Sequence, residues 1–275
     1  MGYDFILFDK ADSVATVTMN RPERLNALNT SIGIEIMDAL GQCEQDDEIR
    51  VVVLTGAGRA FCAGDDIKRV PEEETKPSPR FPDPVKHYVY GPGRWVTIVR
   101  MMMRMPKPVV GVINGHAHGA GFNLALGCDF RIMSETATLC TPFVKRGMAT
   151  GTNRLQQFVG IGKALEWTML GKTLTAQEAE RWGLTTMVVP PDQLQDAAAE
   201  FIEVLKAAPT AIIGITKNAV IHGWERDPDT AYEYQGAAIN MSRLTDDSSE
   251  GRQAFVEKRP PRYNGRWSKE GAGDE

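Results

Sequence analysis

Two short segments constrain this chain more than anything else in it: Phe61-Cys-Ala-Gly-Asp-Asp-Ile-Lys68 and Asn114-Gly-His-Ala-His-Gly-Ala-Gly-Phe-Asn123. Each is a small-residue turn that follows an apolar, strand-like stretch and leads into a helical pattern. Turns of this kind leave the N–H groups of the first helical turn without intrahelical partners and aim them outward. A bulky side chain at Ala63-Gly64 or at Gly119-Ala120-Gly121 would hold a ligand away from those donors. Glycine also reaches dihedrals closed to other residues. Taken singly, each loop is equally consistent with a tight turn in an ordinary α/β core. The pair points to two sets of donors that face one another and grip one carbonyl oxygen.

The flanking patterns support an α/β core. Val14–Met19 is a β-branched strand, and Asn20–Asn29 a polar turn before helical spacing at Ile36, Met37, Leu40 and Cys43. Val51–Leu54 and Val109–Ile113 are wholly apolar, as strands covered on both faces are, and Phe130–Met133 is a further strand. Helices are expected over Arg94–Arg104, Gly121–Leu126, Arg154–Phe158 and Ala164–Leu170. Thr175-Ala-Gln-Glu178 is a capping box opening another helix, which Gly183 ends before the strand Thr185–Val189. Residues 71–86, with five prolines and the acidic run Glu72–Glu74, read as an extended, mobile loop. Beyond Pro190 only helical patterns remain, over 192–207, 210–222, 229–244 and 247–257. The expected organisation is an α/β core over 1–190, a helical module over 191–267 and a disordered tail over 268–275.

The chain's 275 residues, 42% hydrophobic, suit one sizeable core. A net charge of -5 with no basic stripe argues against nucleic acid, while leaving room for a small anion met by local Lys and Arg. Cys43, Cys62, Cys128 and Cys140 have no metal-ligand spacing and read as buried free thiols in a reducing compartment. The N-terminus does not match a secretory signal, and the most apolar stretch, Met101–Ile113, is broken by Arg104, Pro106, Lys107 and Pro108. A soluble cytoplasmic protein without a metal is the expectation.

With these residues in view, the chain resembles the crotonase (enoyl-CoA hydratase/isomerase) superfamily, which acts on acyl-CoA thioesters. The likeness rests on Asn20-Arg-Pro-Glu-Arg-Leu-Asn-Ala-Leu28, the two small-residue loops, Gly171–Leu184 and Ala254–Pro260, and so spans nearly the whole chain. It implies a spiral of ββα units forming two stacked sheets, a C-terminal all-helical module, and a homotrimer or dimer of trimers. It implies no covalently bound cofactor, with coenzyme A entering as the thioester substrate. By the same resemblance the thioester oxygen would be held by the backbone N–H groups of Asp65 and Ala120. The CoA and substrate contacts would come from Arg24, Leu25, Ala27, Ala63, Gly64, Asp66, Ile67, Lys68, Gly119, Gly121 and Phe143. Phe255 and Lys258 match a C-terminal pair that often adds to the CoA site, although Lys258 is equally readable as a solvated helix-end cation.

The chain departs from the family where the hydratases carry two glutamates. Asn123 stands in one place and Phe143, after Thr141-Pro142, in the other. Neither takes up a proton near neutral pH, though an Asn can orient water or substrate. Other candidate proton carriers are His118, set against a packing role, and His87 with Tyr88; His116 is read as a packing position. Asp66 commonly caps the loop in such proteins. Lys145 and Arg146 fit either a substrate carboxylate or plain exposure, and the methionines at 101–103 and 105 read as core. Enolate chemistry without the glutamates leaves isomerisation, C–C hydrolysis or decarboxylation open. A catalytically silent acyl-CoA binder is a separate possibility. Gly115, Gly119 and Gly121 lack the dinucleotide-binding spacing, so that class is set aside.

Overall fold

The computed structural model describes residues 2–66, 94–148, 154–224 and 226–266. A large sheet of six strands has the order β1-β2-β3-β5-β7-β10. Strands β1 (Ile6–Ala11) and β2 (Val14–Met19) form an antiparallel hairpin. Asp12 and Ser13 turn the chain with φ of 50° and 61°, the left-handed pair that matches strand twist in a two-residue turn. The remaining strands, β3 (Val51–Gly56), β5 (Val109–Ile113), β7 (Phe130–Ser134) and β10 (Met187–Val189), add in parallel.

Both faces of this sheet are covered, which is why β3 and β5 carry almost no polar residues. One face meets α1 (Thr30–Gln45), α2 (Arg94–Arg104) and α3 (Ala120–Gly127) in the main core. On the other, Val51, Val53, Val110, Val112 and Ile132 pack against Leu194, Ala198 and Leu205 of α6 (Leu194–Ala207). Met102 and Met105 belong to the main core, as expected of them.

A second sheet has the order β4-β6-β8-β9, from β4 (Ala60–Cys62), β6 (His116–His118), β8 (Thr138–Cys140) and β9 (Thr173–Thr175). The chain repeatedly runs from a large-sheet strand to a small-sheet strand and on to a helix. The turn β5-β6-α3 is one such unit, and β7-β8 followed by α4 (Leu155–Leu170) is the next. Strands of three residues are too short for alternation to register, so the second sheet has no visible periodic pattern, and the six-residue edge strand β1 has none because most of it is exposed. The two helices expected near Arg154–Phe158 and Ala164–Leu170 are one element bent at Gly160, whose φ of 75° breaks the helical run. The capping box forms at the start of α5 (Ala176–Arg181), where the Thr175 hydroxyl accepts from the Glu178 N–H.

After β10 come α6, α7 (Thr210–Gly223), α8 (Pro228–Ser242) and α9 (Asp246–Glu257), the expected helical C-terminal region. Helix α8 has no buried residue, and it exposes Tyr232, Tyr234, Ile239 and Met241. No described helix is long and apolar enough to cross a membrane.

The N-terminal end of the parallel strands is tied together by cations that collect helix C-terminal carbonyls. Lys107, fully buried, donates to the carbonyls of Cys43 and Asp46 at the end of α1, 2.6 Å from each. Lys217 donates to Met102 near the end of α2 at 2.6 Å and to the Asp129 carboxylate at 2.7 Å. Arg131 closes α3 through the carbonyls of Ala125 and Cys128 and reaches Leu184 as well. The small-residue loops lie at the opposite end of the sheet, after β3–β4 and β5–β6.

Candidate active site

The first loop is built against the segment 25–28. The Ala63 N–H donates to Leu25 at 2.9 Å, Leu28 N–H to Gly64 at 2.8 Å, and Asp66 N–H to Leu28 at 2.8 Å. This strand-like pairing is centred on the bridge between Leu28 and Asp65. In a planar trans peptide the C=O and the following N–H point in opposite directions. Because Leu28 holds the Gly64 carbonyl, the Asp65 N–H is directed away from the 25–28 segment.

Leu25 and Asn26 both adopt left-handed backbone, with φ of 52° and 56°, and this fold-back needs support. Arg21 supplies it, donating to the Ala27 carbonyl at 2.5 Å and pairing with Asp66 at 3.1 Å; both side chains are shielded from solvent. The Asn26 amide donates to the carbonyls of Ala57 and Ala60 at 2.9 and 2.7 Å. Asn114 reaches Gly56 and Gly58 from the second loop, at 2.8 and 2.7 Å. Asp66 is therefore occupied in holding the turn, the loop-capping role set out for it above. Arg24 stands exposed at the end of the short turn Pro22–Arg24, whereas Ala27 is buried.

The second loop closes directly on the first. A Cβ added to Gly64, whose φ is +94°, would lie 2.7 Å from the His118 carbonyl oxygen and 3.2 Å from the Ala120 nitrogen. One added to Gly121 would lie 2.1 Å from the Cys62 carbonyl oxygen. Only glycine permits the two backbones to touch at these places. Gly119 has φ 56° and ψ -121°, and its N–H donates to Cys140 at 2.9 Å. Its carbonyl accepts from Phe122 and Asn123 N–H at 3.1 and 3.3 Å and from the Asn123 side-chain amide at 3.2 Å. Asn123 is thus buried and turned back onto its own helix start. The Phe143 ring closes the other side, 3.6 Å from where a Gly119 Cβ would stand.

The structure thus brings together Leu25, Ala27, Ala63, Gly64, Asp65, Asp66, Gly119, Ala120, Gly121, Asn123 and Phe143. Ile67, Lys68, Glu72–Glu74, His87 and Tyr88 lie outside the described residues. Phe255 and Lys258 stand apart. Helix α9 is anchored by Asp247, which accepts from Asn264 and Gly265 beside Arg50, at the N-terminal end of β3. Phe255 is 85% exposed, and Lys258 ends the helix in left-handed backbone. Lys145 and Arg146 are exposed.

His116 and His118 project from the same side of β6 and share one hydroxyl. The His116 Nδ1 and the His118 Nε2 each lie 2.9 Å from the Thr138 Oγ1, with ring centroids 5.2 Å apart. His116 is exposed, so the packing position expected for it is corrected: the side that its strand presents outward carries it. Burial, then His116 and then Arg146, push the His118 pKa down to about 4, leaving it neutral near neutral pH. All four cysteines are buried free thiols. Burial pushes the Cys62 thiol up to about 12, so this neighbour of Ala63 is no thiolate nucleophile near neutral pH.

Arg21, Asn26, Asn114 and Thr138 were not singled out from the sequence. Their signal was faint: polar side chains in turns flanked by apolar strands, with partners that only folding supplies. Among the described residues no group of three or more His, Cys, Asp or Glu could hold a metal ion.

The profile of the family described as Enoyl-CoA hydratase/isomerase matches residues 9–266. The 1,2-epoxyphenylacetyl-CoA isomerase of Escherichia coli (strain K12) is 35% identical over 96% of this chain and 99% of that protein. A short-chain-enoyl-CoA hydratase of Clostridium acetobutylicum is also 35% identical, over 92% of this chain and 95% of its own length. The crystal structure of an enoyl-CoA hydratase from Bacillus anthracis superposes with a TM-score of 0.84, at 34% identity over 96% of this chain and 100% of that one. With a matching profile, matching relatives and a shared two-sheet architecture, the chain belongs to the enoyl-CoA hydratase/isomerase family of the crotonase superfamily.

Proposed function

We propose that this acyl-CoA enzyme holds the thioester oxygen between the backbone N–H groups of Asp65 and Ala120 and stabilises the enolate formed there. The observation that carries this reading is the mutual approach of the loops, with Gly64 packed on the Ala120 nitrogen and both neighbouring carbonyls engaged elsewhere. Donors fixed in advance at the place where charge develops need not reorganise during the reaction. The CoA moiety would run along Arg24, Leu25 and Ala27, with Ala63, Asp66, Ile67 and Lys68 on its other side.

Water addition by a pair of carboxylates is not the chemistry this site favours. The Asn123 amide is spent on the Gly119 carbonyl and Phe143 presents a ring, so neither activates water. Enolate chemistry that needs the oxygen site more than a strong base fits better: isomerisation, as in the name of the Escherichia coli relative, or loss of carbon dioxide or C–C hydrolysis. His118 enters as a proton carrier only through the ring nitrogen not engaged by Thr138. The exposed apolar side chains of α8 are read as contacts between subunits of a homotrimer or dimer of trimers, which would also let Phe255 and Lys258 serve a neighbour's CoA site. Location in the cytoplasm belongs to the same reading.

The test is mass spectrometry, after chromatography that resolves isomers, on the protein incubated with enoyl-, β-keto cyclic, malonyl- and epoxyphenylacetyl-CoA. An isomer shift, loss of carbon dioxide or ring opening supports the reading. Rapid gain of water on enoyl-CoA would defeat the exclusion of hydration. Tight acyl-CoA binding with no turnover on any class would make the protein a silent binder.

A further inference from the structure

We infer that Asn123 is a positioning residue: its side-chain amide clamps the carbonyl of Gly119 and thereby aims the N–H of Ala120 at the thioester oxygen. The inference rests on the thioester site proposed above and deepens it. Its starting point is the 3.2 Å bond from Asn123 Nδ2 to the Gly119 oxygen. That oxygen and the Ala120 N–H belong to one planar peptide and point in opposite directions, so fixing one fixes the other.

The peptide needs fixing. Gly119 sits at φ 56° and ψ -121°, a conformation that side-chain-bearing residues avoid and that glycine holds only loosely. Its carbonyl already accepts from two backbone N–H groups, at 3.1 and 3.3 Å, the longer of them weak. The amide adds a third donor from a buried side chain whose own backbone lies one turn into α3. The first loop needs no such help, because Leu28 N–H holds the Gly64 carbonyl at 2.8 Å within a strand-like ladder.

The chemical identity of the residue matters here. An amide donates a hydrogen bond, whereas an ionised carboxylate only accepts and would repel the Gly119 oxygen. The residue that replaces a glutamate therefore does something a glutamate in that pose cannot. It trades proton handling for the aim of the second donor.

The decisive experiment is isotope-edited infrared difference spectroscopy of the full-length protein with butanoyl-CoA and phenylacetyl-CoA carrying 13C at the carbonyl. Wild type, Asn123→Asp and Asn123→Ala would be compared, with thermal melts to confirm folding. Asn123→Asp keeps the size and shape of the side chain, so it decides the matter if Asn123→Ala does not fold. In wild type the carbonyl stretch should move to lower frequency on binding. In Asn123→Asp at neutral pH more than half of that shift should vanish, while probe affinity changes by less than about tenfold, since most CoA contacts lie elsewhere. Acidification should restore the shift in Asn123→Asp, because a protonated carboxyl can donate to Gly119, and should leave wild type unchanged. On any substrate the protein turns over, kcat should fall by about 10- to 100-fold with KM little altered. A full shift retained in Asn123→Asp at neutral pH would overturn the clamp and leave the thioester site standing. No bound probe or no shift in wild type would instead overturn the thioester site, and the clamp with it.

Discussion

The two ends of the parallel sheet solve opposite problems with the same helix. At the N-terminus of α3, the proposed reading offers the Ala120 N–H to a ligand where the two glycine loops meet. At its C-terminus, Arg131 gathers the Ala125 and Cys128 carbonyls inside the protein. Lys107 and Lys217 do the same for α1 and α2, so the N-terminal end of the sheet is a girdle of buried cations. The loop end holds the buried Arg21–Asp66 pair, and on the proposed reading its electrostatics come from backbone dipoles aimed at the thioester. On the proposed reading, stability and chemistry are held at opposite ends of shared elements. A substitution at one end should leave the other largely intact.

The sharpest way to break this separation is Lys217→Met. Burial pushes the Lys217 ammonium pKa down and the Asp129 carboxyl pKa up, and the 2.7 Å contact works against both. Removing the cation takes the partner from Asp129 and from the carbonyls of Met102 and Lys107, and should cost about 3–5 kcal/mol in urea unfolding. The bound-thioester carbonyl shift should persist in the fraction that stays folded. Its loss there would show that the two ends are coupled.

Gly64→Ala is the converse. An added Cβ meets the His118 carbonyl at 2.7 Å with φ at +94°, so the loops must part. The strain should cost about 1–3 kcal/mol of stability. Turnover should fall by about 100- to 1,000-fold, as expected when an oxyanion donor is lost. Unchanged kcat on a confirmed substrate would place the chemistry elsewhere.

A smaller effect should come from His118. Its folded pKa of about 4 lies below its ordinary 6.5, so between those values the unfolded chain binds a proton that the folded one refuses. Stability should fall on acidification through that window by about 1–2 kcal/mol, after allowance for solvent screening. The groups facing it are His116, Thr138 and Arg146. In His118→Gln the decline between pH 6.5 and 4 should be correspondingly shallower; the same slope in both proteins would assign the acid sensitivity to other groups.

The smallest is a control outside both ends. Lys172 pairs with Glu178 at 2.9 Å, with both side chains about two-fifths exposed. Lys172→Ala should change stability by about 0.5 kcal/mol or less, within what exposed pairs contribute. A loss comparable to that of Lys217→Met would show that burial is not what separates the two kinds of ion pair.

The sequence by itself determined the α/β class, the apolar runs of strands β3 and β5, the helical C-terminal third and the two glycine loops. These are local matters: apolar runs, helical spacing and the need for φ values or close approaches that only glycine allows. The resemblance to the family, and not the residues alone, implied that Asn123 and Phe143 stand where its hydratases carry glutamates. What only the tertiary structure decided depends on partners distant along the chain. The three-residue strands of the small sheet exist because neighbours complete them. Arg21 matters because the chain folds back to bring it 3.1 Å from Asp66, and the two histidines meet on one threonine hydroxyl. That Asn123 turns to the Gly119 carbonyl, and not outward to a water, could not be read from its letter. An amide has several donors and acceptors, and the fold chooses which of them are used.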